Sequence, residues 1–346
     1  MRKGFILIIL TLSLLAVLAG GACVQPDSGE MSAGDFYQDN MATIIVNGGV
    51  GGGTDYSGRL FASYWGETTG GPPMEVRVMS GGGGIEGLNY VYNSKPDGLT
   101  IGITHHPADI TSPILLGGPG PEFDPLELSW IGMLGFSVEV FVLPLDSPIK
   151  SIEDLKNAGK LVFGQSTPGG AGSISSAALI EIFELDAKIV HGYESPELGL
   201  ALRRGEIDCY SIVGNIALDD MERGFVKPFL VFTAERSDWF PDTPVVTEVI
   251  DLTPKQEDYI VFIEALGAVK SYFGPPGIPL DRLTYLRRTF DQIVSNEAFI
   301  KQAKLRFPVW QTPLPGEGVE ADINRVLSMS PDTIESVRSL FEKYIK

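Results

Sequence analysis

The sequence predicts an α/β protein with two domains. From Thr43 onward, short runs rich in β-branched residues alternate with glycine-rich turns and segments of helical period, the pattern of βα units that feed a parallel sheet. A second series of such units begins at Ser151. The chain has 346 residues, of which 44% are hydrophobic and 20% charged, so it can form two ordinary globular domains. We expect two α/β domains with two chain crossings between them.

The N-terminus has the features of an export signal. Arg2 and Lys3 precede an apolar run over residues 5–18, and small residues follow it. This order is typical of a secretory signal peptide, which we expect over residues 1–22. A short membrane helix is the alternative.

Cys23 is a candidate site of lipidation. The segment 18–23 resembles a lipobox, although Gly20 stands where that pattern usually has leucine. Simple secretion with an unmodified cysteine is the alternative. Residues 23–40 are polar and rich in turn formers, so we expect a flexible tether there.

The elements of the first domain follow in order. Leu60, Phe61, Tyr64 and Trp65 mark one face of a helix that follows the first glycine-rich loop. The other elements predicted here are strands over 43–46, 74–79, 99–104, 130–134 and 138–143, and a helix over 85–93.

The second series continues the same alternation. Ser195 and Pro196 form a good helix start, and Gly205 ends that helix. The other predicted elements are strands over 160–163, 207–213 and 228–233, and helices over 173–185, 283–293 and 331–345. We place the second domain at 138–233, and the first at 41–137 and 234–346.

Composition excludes several classes of partner and chemistry. Lys and Arg number 26 against 44 Asp and Glu, and the formal charge of −18 disfavours nucleic acids and anionic membranes. Two cysteines cannot form a disulfide framework, and three histidines leave little material for a metal site. Cys209 lies in an apolar run and is predicted to be a buried, inert thiol. No cofactor or metal is expected.

Glycine is in excess, and the first cluster predicts an anion site. Glycine makes up 41 of 346 residues, and five lie in the six positions 48–53, between a strand and a helix. Such a loop lets backbone donors approach a ligand at a helix N-terminus. A nucleotide P-loop would need a lysine that is absent. The alternative is a tight turn with Thr54 or Asp55 as a helix cap.

The other glycine clusters differ in their meaning. Gly82, Gly84 and Gly87 fit G-x-G-x-x-G, but close packing of helix on strand explains them better than a dinucleotide. The loop over 164–173 repeats the first arrangement in the second domain, with hydroxyl and amide donors added. Two such loops at strand C-termini can face each other across a cleft.

Enzyme motifs are absent from the sequence. It contains no G-x-S-x-G, H-E-x-x-H or paired C-x-x-C, so we expect a binding protein. His105 follows a strand at the edge where ligands bind, and is either a ligand contact or a solvated loop residue. With His106 and His191 it forms no metal-binding spacing.

An ordered set of motifs resembles the substrate-binding proteins of tripartite tricarboxylate transporters, the Bug family of extracytoplasmic solute receptors. The resemblance covers the chain from about Ala42 to its end. The residues that resemble the family are spread along this length. They are residues 45–46, 51–55 and Arg59, residues 95–100, the loop 165–173, Tyr193, and residues 205–208, 240–244 and 274–279.

This resemblance implies a two-lobed, type II periplasmic-binding-protein fold that closes on a small carboxylate and delivers it to a membrane permease. The carboxylate would be a di- or tricarboxylate, an acidic amino acid or an aromatic acid. The ligand-binding residues implied, together with those favoured by position, are Gly49, Gly51, Gly52, Gly53, Thr54, Asp55, His105, Gln165, Ser166, Thr167, Ser173 and Tyr193. Asp55 would cap the helix and order the loop.

The resemblance also implies a location and partners. We expect an exported monomer in the periplasm or on the outer face of the cytoplasmic membrane, anchored through Cys23. A receptor for a TRAP-type transporter and a sensor domain that feeds a membrane kinase are the alternatives.

Overall fold

The computed structural model describes residues 31–105, 110, 122–166, 168–193, 195–267, 270–307 and 312–345. The expected signal peptide, Cys23 and Thr167 lie outside the described residues. No helix within these ranges combines the length and apolar character that a membrane span requires.

Strands and helices alternate along most of the chain. The strands are β1 (Thr43–Val46), β2 (Glu75–Val78), β3 (Thr100–Thr104), β4 (Ser129–Met133), β5 (Glu139–Pro144), β6 (Leu161–Gln165), β7 (Ala187–His191), β8 (Tyr210–Val213), β9 (Val226–Val231), β10 (Ser271–Gly274) and β11 (Leu314–Pro315). The helices are α1 (Ala33–Asp39), α2 (Gly53–Thr69), α3 (Ile85–Tyr92), α4 (Ile152–Lys156), α5 (Ala171–Phe183), α6 (Ser195–Arg203), α7 (Gly214–Glu222), α8 (Val246–Val249), α9 (Pro254–Ala265), α10 (Leu280–Val294), α11 (Glu297–Ala303), α12 (Gly316–Leu327) and α13 (Pro331–Tyr344).

The first lobe is built on a mixed sheet in the order β11-β4-β10-β3-β1-β2. β1 pairs in parallel with β2 and β3, whereas β10 runs antiparallel between β3 and β4. The sequence pattern did not predict β10, because its four residues are too short to show a period. One side of the sheet packs on α2 and α10, and the other on α3 and α12.

The second lobe has a five-strand arrangement. β5 lies between β8 and β9 and is antiparallel to both, and β6 pairs in parallel with β7. A parallel bridge from Phe163 to Cys209 joins β6 to β8, which gives the order β7-β6-β8-β5-β9. Cys209 is fully buried, and burial raises the pKa of its thiol, which fits the inert role expected from the sequence.

The predicted boundary at residue 234 is wrong. Tyr259 and Phe262 of α9, and Val337 and Leu340 of α13, lie in one buried cluster with residues of β5 and α5. Both helices therefore belong to the second lobe. The chain crosses between lobes three times, after β4, after α9 and after α12, where two crossings were expected. Burial of apolar faces on α5, which local sequence does not reveal, decides this arrangement.

The predicted tether is also shorter than expected. Residues 33–39 form α1, which the Ser32 side chain caps by accepting the Asp35 N–H at 3.1 Å. Tyr37 is fully buried, stacks on Tyr285 with ring centroids 5.0 Å apart, and donates its hydroxyl to the Gly98 carbonyl. A helix of two turns is too short for its apolar period to be recognised, yet one aromatic side chain fixes it to the first lobe.

Candidate ligand-binding site

Each lobe contains a glycine-rich loop that leads from a strand into a long helix. In the first lobe, residues 47–52 (the first loop) connect β1 to α2. In the second lobe, residues 166–170 (the second loop) connect β6 to α5. Both loops leave the C-terminal end of a strand with parallel neighbours, where α/β sheets bind their ligands.

The two helices begin in the same way. Gly52 and Gly170 are their N-caps, both are extended, and neither helix start has a side-chain cap. The first helical hydrogen bonds run from Tyr56 N–H to the Gly52 carbonyl and from Ile174 N–H to the Gly170 carbonyl. The amides of each first turn therefore have no acceptor within their own helix. Together with the positive end of the helix dipole, such amides suit a small anion.

The first loop is held by its own hydrogen bonds. Asp55 accepts the Gly51 N–H at 2.8 Å through Oδ2, and its Oδ1 is paired with Arg59 Nε at 2.8 Å. The Gly52 N–H is donated to the Gly49 carbonyl at 3.0 Å. Asp55 thus orders the loop, as expected, but it does not cap the helix, whose N-cap is Gly52. The N–H groups of Gly51 and Gly52 are already hydrogen-bonded within the loop. The N–H groups that remain for a ligand are those of Gly53, Thr54 and Asp55 in the first turn of α2.

Glycine is required in this loop for two different reasons. A Cβ on Gly48 would lie 2.8 Å from Cβ of the buried Thr54, so only glycine lets α2 start this close to β1. Gly51 has φ of +78°, in the left-handed region that favours glycine. A Cβ on Gly49 would meet nothing within 4 Å, so the space beside it is open. That open space is where a ligand could approach the backbone.

Gln165, one of the expected ligand contacts, is hydrogen-bonded within the second lobe. It is buried, and its amide Nε2 donates to Ser176 Oγ at 2.7 Å and to the Ser211 carbonyl at 3.1 Å. A Cβ on Gly172 would lie 2.5 Å from Gln165 Oε1. Gln165 therefore holds the start of α5 against β6 and β8, which positions the second loop.

Ser173 and His191 form the polar pair of the second lobe. Ser173 Oγ, in the first turn of α5, lies 3.1 Å from His191 Nε2 at the end of β7. The β6–β7 register places His191 directly opposite Gln165. Burial lowers the pKa of the His191 imidazole, which favours its neutral form.

The remaining expected residues lie at the same edges. Ser166 accepts the Gly192 N–H through its carbonyl at 3.1 Å, and Tyr193 follows at the end of β7 with its side chain packed partly against the core. His105 directly follows β3 and is partly exposed, next to Thr104, whose Oγ1 accepts the Asn47 amide at 2.9 Å.

Sequence reasoning missed three residues near this site. His191 is too far from His105 along the chain to suggest a shared metal site. However, His191 and Gly192 end an apolar run, and the other predicted strands end in a similar way. Lys270 and Glu139 lie at the ends of two of the three segments that cross between the lobes, next to β10 and at the start of β5, and both are buried. Nothing in their local sequence marked them, because their position depends on the crossings.

Glu139 is a buried carboxyl group at one edge of the second sheet. It pairs with Val213, the last residue of β8, and so lies at the same edge as the second loop. Its Oε2 has no hydrogen-bond partner among the described residues, and burial raises the pKa of this carboxyl to about 8.

The second glycine cluster and a surface groove along α3 do not form a site for a carboxylate or a nucleotide. A Cβ on Gly84 would lie 2.8 Å from Asn47 Nδ2, and one on Gly87 2.7 Å from the Met79 carbonyl. These glycines therefore serve close helix packing, as predicted. A surface groove of about 650 Å³ along α3 has three acidic side chains and one lysine in its lining, and this excess of negative charge opposes an anionic ligand.

The two α/β lobes and their glycine-rich, uncapped helix starts define a two-lobed solute-binding protein. A model of the tripartite tricarboxylate transporter family receptors, TctC, matches residues 70–279, which is more than half of the chain. The chain belongs to this family, which confirms the resemblance seen in the sequence, and it is a substrate receptor and not an enzyme.

Individual relatives agree with this placement. A UPF0065 protein of Agrobacterium vitis, from the TAR-I ttuE-ttuC' intergenic region, is 26% identical over 254 residues, covering 72% of this chain and 69% of its own. MatC of Rhodopseudomonas palustris, solved with bound malate, has a TM-score of 0.64 at 19% identity and covers 87% of this chain and 98% of its own. A second R. palustris protein, solved with adipate, has a TM-score of 0.61 at 19% identity, covering 88% and 95%. The two structures confirm the predicted fold class.

Proposed function

We propose that this receptor is exported and binds a small carboxylate between its lobes, which it delivers to the permease of a tripartite tricarboxylate transporter. The observation that carries the proposal is the pair of helix starts, one per lobe, that follow glycine-rich loops and have no side-chain cap. Backbone amides and helix dipoles there would hold one carboxylate from both sides.

The geometry of the two loops supports the following assignment of contacts. Gly53, Thr54 and Asp55 would donate their amides from the first lobe, with Gly49 giving room for close approach. Ser173 would contribute its hydroxyl from the second lobe, together with residues 166 and 167. Gln165, Gly51 and Gly52 support these groups from within each lobe.

A dicarboxylate is the ligand class we favour. Malate and adipate occupy two structural neighbours of this chain, and they differ in length and in polar substituents. Their shared feature is a carboxylate at each end. One carboxylate of the ligand would lie at the helix starts. The other would contact side chains that differ between receptors.

The overall negative charge of −18 is compatible with an anionic ligand. Surface charges are screened beyond about 8 Å at physiological ionic strength, whereas amides in the cleft act at contact. Residues 1–22 would act as the signal peptide for export, and a lipid on Cys23 would anchor the mature protein to the membrane. The receptor would act as a monomer that docks on its permease.

A ligand panel tests the proposal directly. Thermal unfolding of the purified protein is measured with malate, adipate, citrate, aspartate and benzoate, each up to millimolar concentration. A ligand at 100 times its Kd should stabilise the protein by about 2.7 kcal/mol. The absence of a shift with every carboxylate would reject the proposal. Loss of uptake on deletion of the gene would support transport, whereas loss of induction alone would support the sensor alternative.

A further inference from the structure

Three buried polar side chains at one edge of the second sheet lack hydrogen-bond partners. Ser137, Glu139 and Ser211 are 6%, 4% and 0% exposed, and Ser137 Oγ, Glu139 Oε2 and Ser211 Oγ have no partner among the described residues. In the part of the chain that the structure describes, only seven buried side-chain atoms share this condition. Buried polar groups are nearly always hydrogen-bonded, so three exceptions at one edge need an explanation.

Strand pairing brings these side chains together. In the antiparallel pair of β5 and β8, Glu139 is opposite the last residue of β8, and Phe141 is opposite Ser211. Side chains alternate along a strand, so Glu139 lies on the same face of the sheet as Phe141 and Ser211. Ser137 precedes β5 at this edge, and its Oγ lies 3.3 Å from the position that a Cβ on Gly214, the first residue of α7, would occupy.

The same face of the sheet meets the start of α5. Phe141 belongs to the buried cluster that contains Ile174 of this helix. A Cβ on Gly172, in the first turn of α5, would lie 2.6 Å from the Ser211 carbonyl. Glu139 is one pair of residues further toward the end of the sheet, a step of about 7 Å along the strand. It is therefore close to the helix start at which the proposed function places a ligand carboxylate.

The three unpartnered groups are all able to donate hydrogen bonds. Burial alone raises the pKa of Glu139 to about 8, and no Lys, Arg or His among the described residues forms an ion pair with it. At neutral pH this carboxyl group is therefore mostly protonated and carries an O–H donor, as do Ser137 and Ser211. An ionised carboxylate, which only accepts hydrogen bonds, complements such a set of donors.

We propose that the Glu139 carboxyl group donates a hydrogen bond to the second carboxylate of the ligand, so that this receptor selects dicarboxylates over monocarboxylates of the same length. The inference rests on the proposed function, which leaves the contacts of the second carboxylate unassigned. The Ser137 and Ser211 hydroxyls lie on either side of Glu139 and support the same end of the ligand. A hydrogen bond to a charged group is stronger than a neutral one, so its loss should weaken dicarboxylate binding about tenfold to a hundredfold.

The test compares two variants of Glu139 with a matched control. Glu139→Met removes the donor and keeps a side chain of similar length, whereas Glu139→Gln keeps an N–H donor. Glu181→Met removes a partly buried carboxylate from the far end of α5, where Lys343 and Tyr344 donate to it. Far-UV circular dichroism checks the fold of each variant.

The measured quantity is the ratio of the Kd of a monocarboxylate to the Kd of the dicarboxylate of the same length. Calorimetry compares malate with α- and β-hydroxybutyrate, in each of which a methyl group replaces one carboxylate, and adipate with hexanoate. We expect Glu139→Met to lower this ratio at least tenfold for the dicarboxylate that the wild type binds more tightly. Glu139→Gln should recover most of the lost preference, and Glu181→Met should behave like the wild type.

Three outcomes would contradict this assignment. The wild-type ratio in Glu139→Met would overturn the role of Glu139 and leave the proposed function intact. A loss in Glu139→Gln as large as that in Glu139→Met would show that Glu139 acts as an ionised acceptor and not as a donor. Failure of the wild type to bind any carboxylate would reject both the inference and the proposed function.

A ligand-side measurement covers the case in which the Glu139 variants do not fold. In the wild-type protein, malate or adipate should bind at least tenfold more tightly than its monocarboxylate analogues. Adipate should also bind more tightly than ε-aminocaproate, whose far end is an ammonium group. Monocarboxylates that bind within twofold of both dicarboxylates, or tighter binding of ε-aminocaproate, would overturn the inference without any variant.

Discussion

The Ser173 hydroxyl and the His191 imidazole lie 3.1 Å apart, Oγ to Nε2, and join the first turn of α5 to the end of β7. Ser173 is buried, whereas His191 is partly exposed at the sheet edge. A ligand carboxylate at the start of α5 would therefore meet a hydroxyl whose orientation depends on a titratable ring.

Removal of the Ser173 hydroxyl should weaken binding without unfolding the lobe. We expect Ser173→Ala to raise the Kd for malate about tenfold, which corresponds to 1.4 kcal/mol, because a charge-assisted hydrogen bond is lost. Thr54→Val should act similarly in the first lobe. Ser175→Ala is the matched control, since Ser175 Oγ is buried in the same helix and donates to the Ala171 carbonyl. Unchanged affinity in both Ser173→Ala and Thr54→Val would contradict the placement of the ligand.

His191 should make malate binding depend on pH. Burial holds the pKa of the free imidazole below its usual value, and a nearby carboxylate would raise it. Binding then takes up a proton, so affinity should increase as pH falls, by up to about tenfold per pH unit. Calorimetry at pH 6 and pH 8 measures this.

His191→Gln should remove the pH dependence while keeping a hydrogen-bonding side chain beside Ser173. His191 also affects the free protein in the opposite sense. Because its pKa is lowered in the folded state, its contribution to stability is lost as pH falls through that value. A pH dependence of binding that persists in His191→Gln would exclude this residue as its source.

Glu139 should make the stability of the free protein depend on pH. Its pKa is raised from 4.5 to about 8, so the folded state holds a proton that the unfolded state releases. The free energy of unfolding should therefore fall as pH rises from about 4.5 to about 8, by at most about 1.4 kcal/mol per pH unit. Glu139→Gln should flatten this slope and unfold at a higher temperature than wild type at pH 8.

Glu67→Gln provides the control for Glu139, since Glu67 is an exposed carboxylate on α2. It should leave the pH profile of unfolding unchanged. If Glu139→Gln and wild type lose stability in parallel between pH 5 and pH 8, the buried carboxyl is not responsible.

Two adjacent glycines of the first loop should respond differently to alanine. Gly48→Ala should lower stability by about 1–3 kcal/mol, because its Cβ would lie 2.8 Å from Thr54 Cβ. Gly49→Ala has open space around the added methyl group, so its unfolding temperature should stay near that of wild type. We expect it to weaken malate binding instead, as the methyl group occupies the approach to the loop. Wild-type affinity in Gly49→Ala would show that the ligand does not come close to this backbone.

Much of the fold was predictable, because strands such as β1 and β3 and helices such as α5 carry strong local patterns. The glycine loops were equally visible, since glycine excess at a strand end is a local signal. The roles of individual residues within these loops were harder to predict. The sequence suggested Gln165 as a ligand contact, but its partners Ser176 and Ser211 come from two other elements.

The sequence by itself determined the α/β class, the family and the two loops, since these depend on residues close together in the chain. Tertiary structure decided which lobe α9 and α13 join, because that depends on burial against α5. It also decided that Lys270, 217 positions after Gly53, lies beside the start of α2. A charge so far along the chain reaches the site only because β10 inserts between β3 and β4, and no local pattern encodes that insertion.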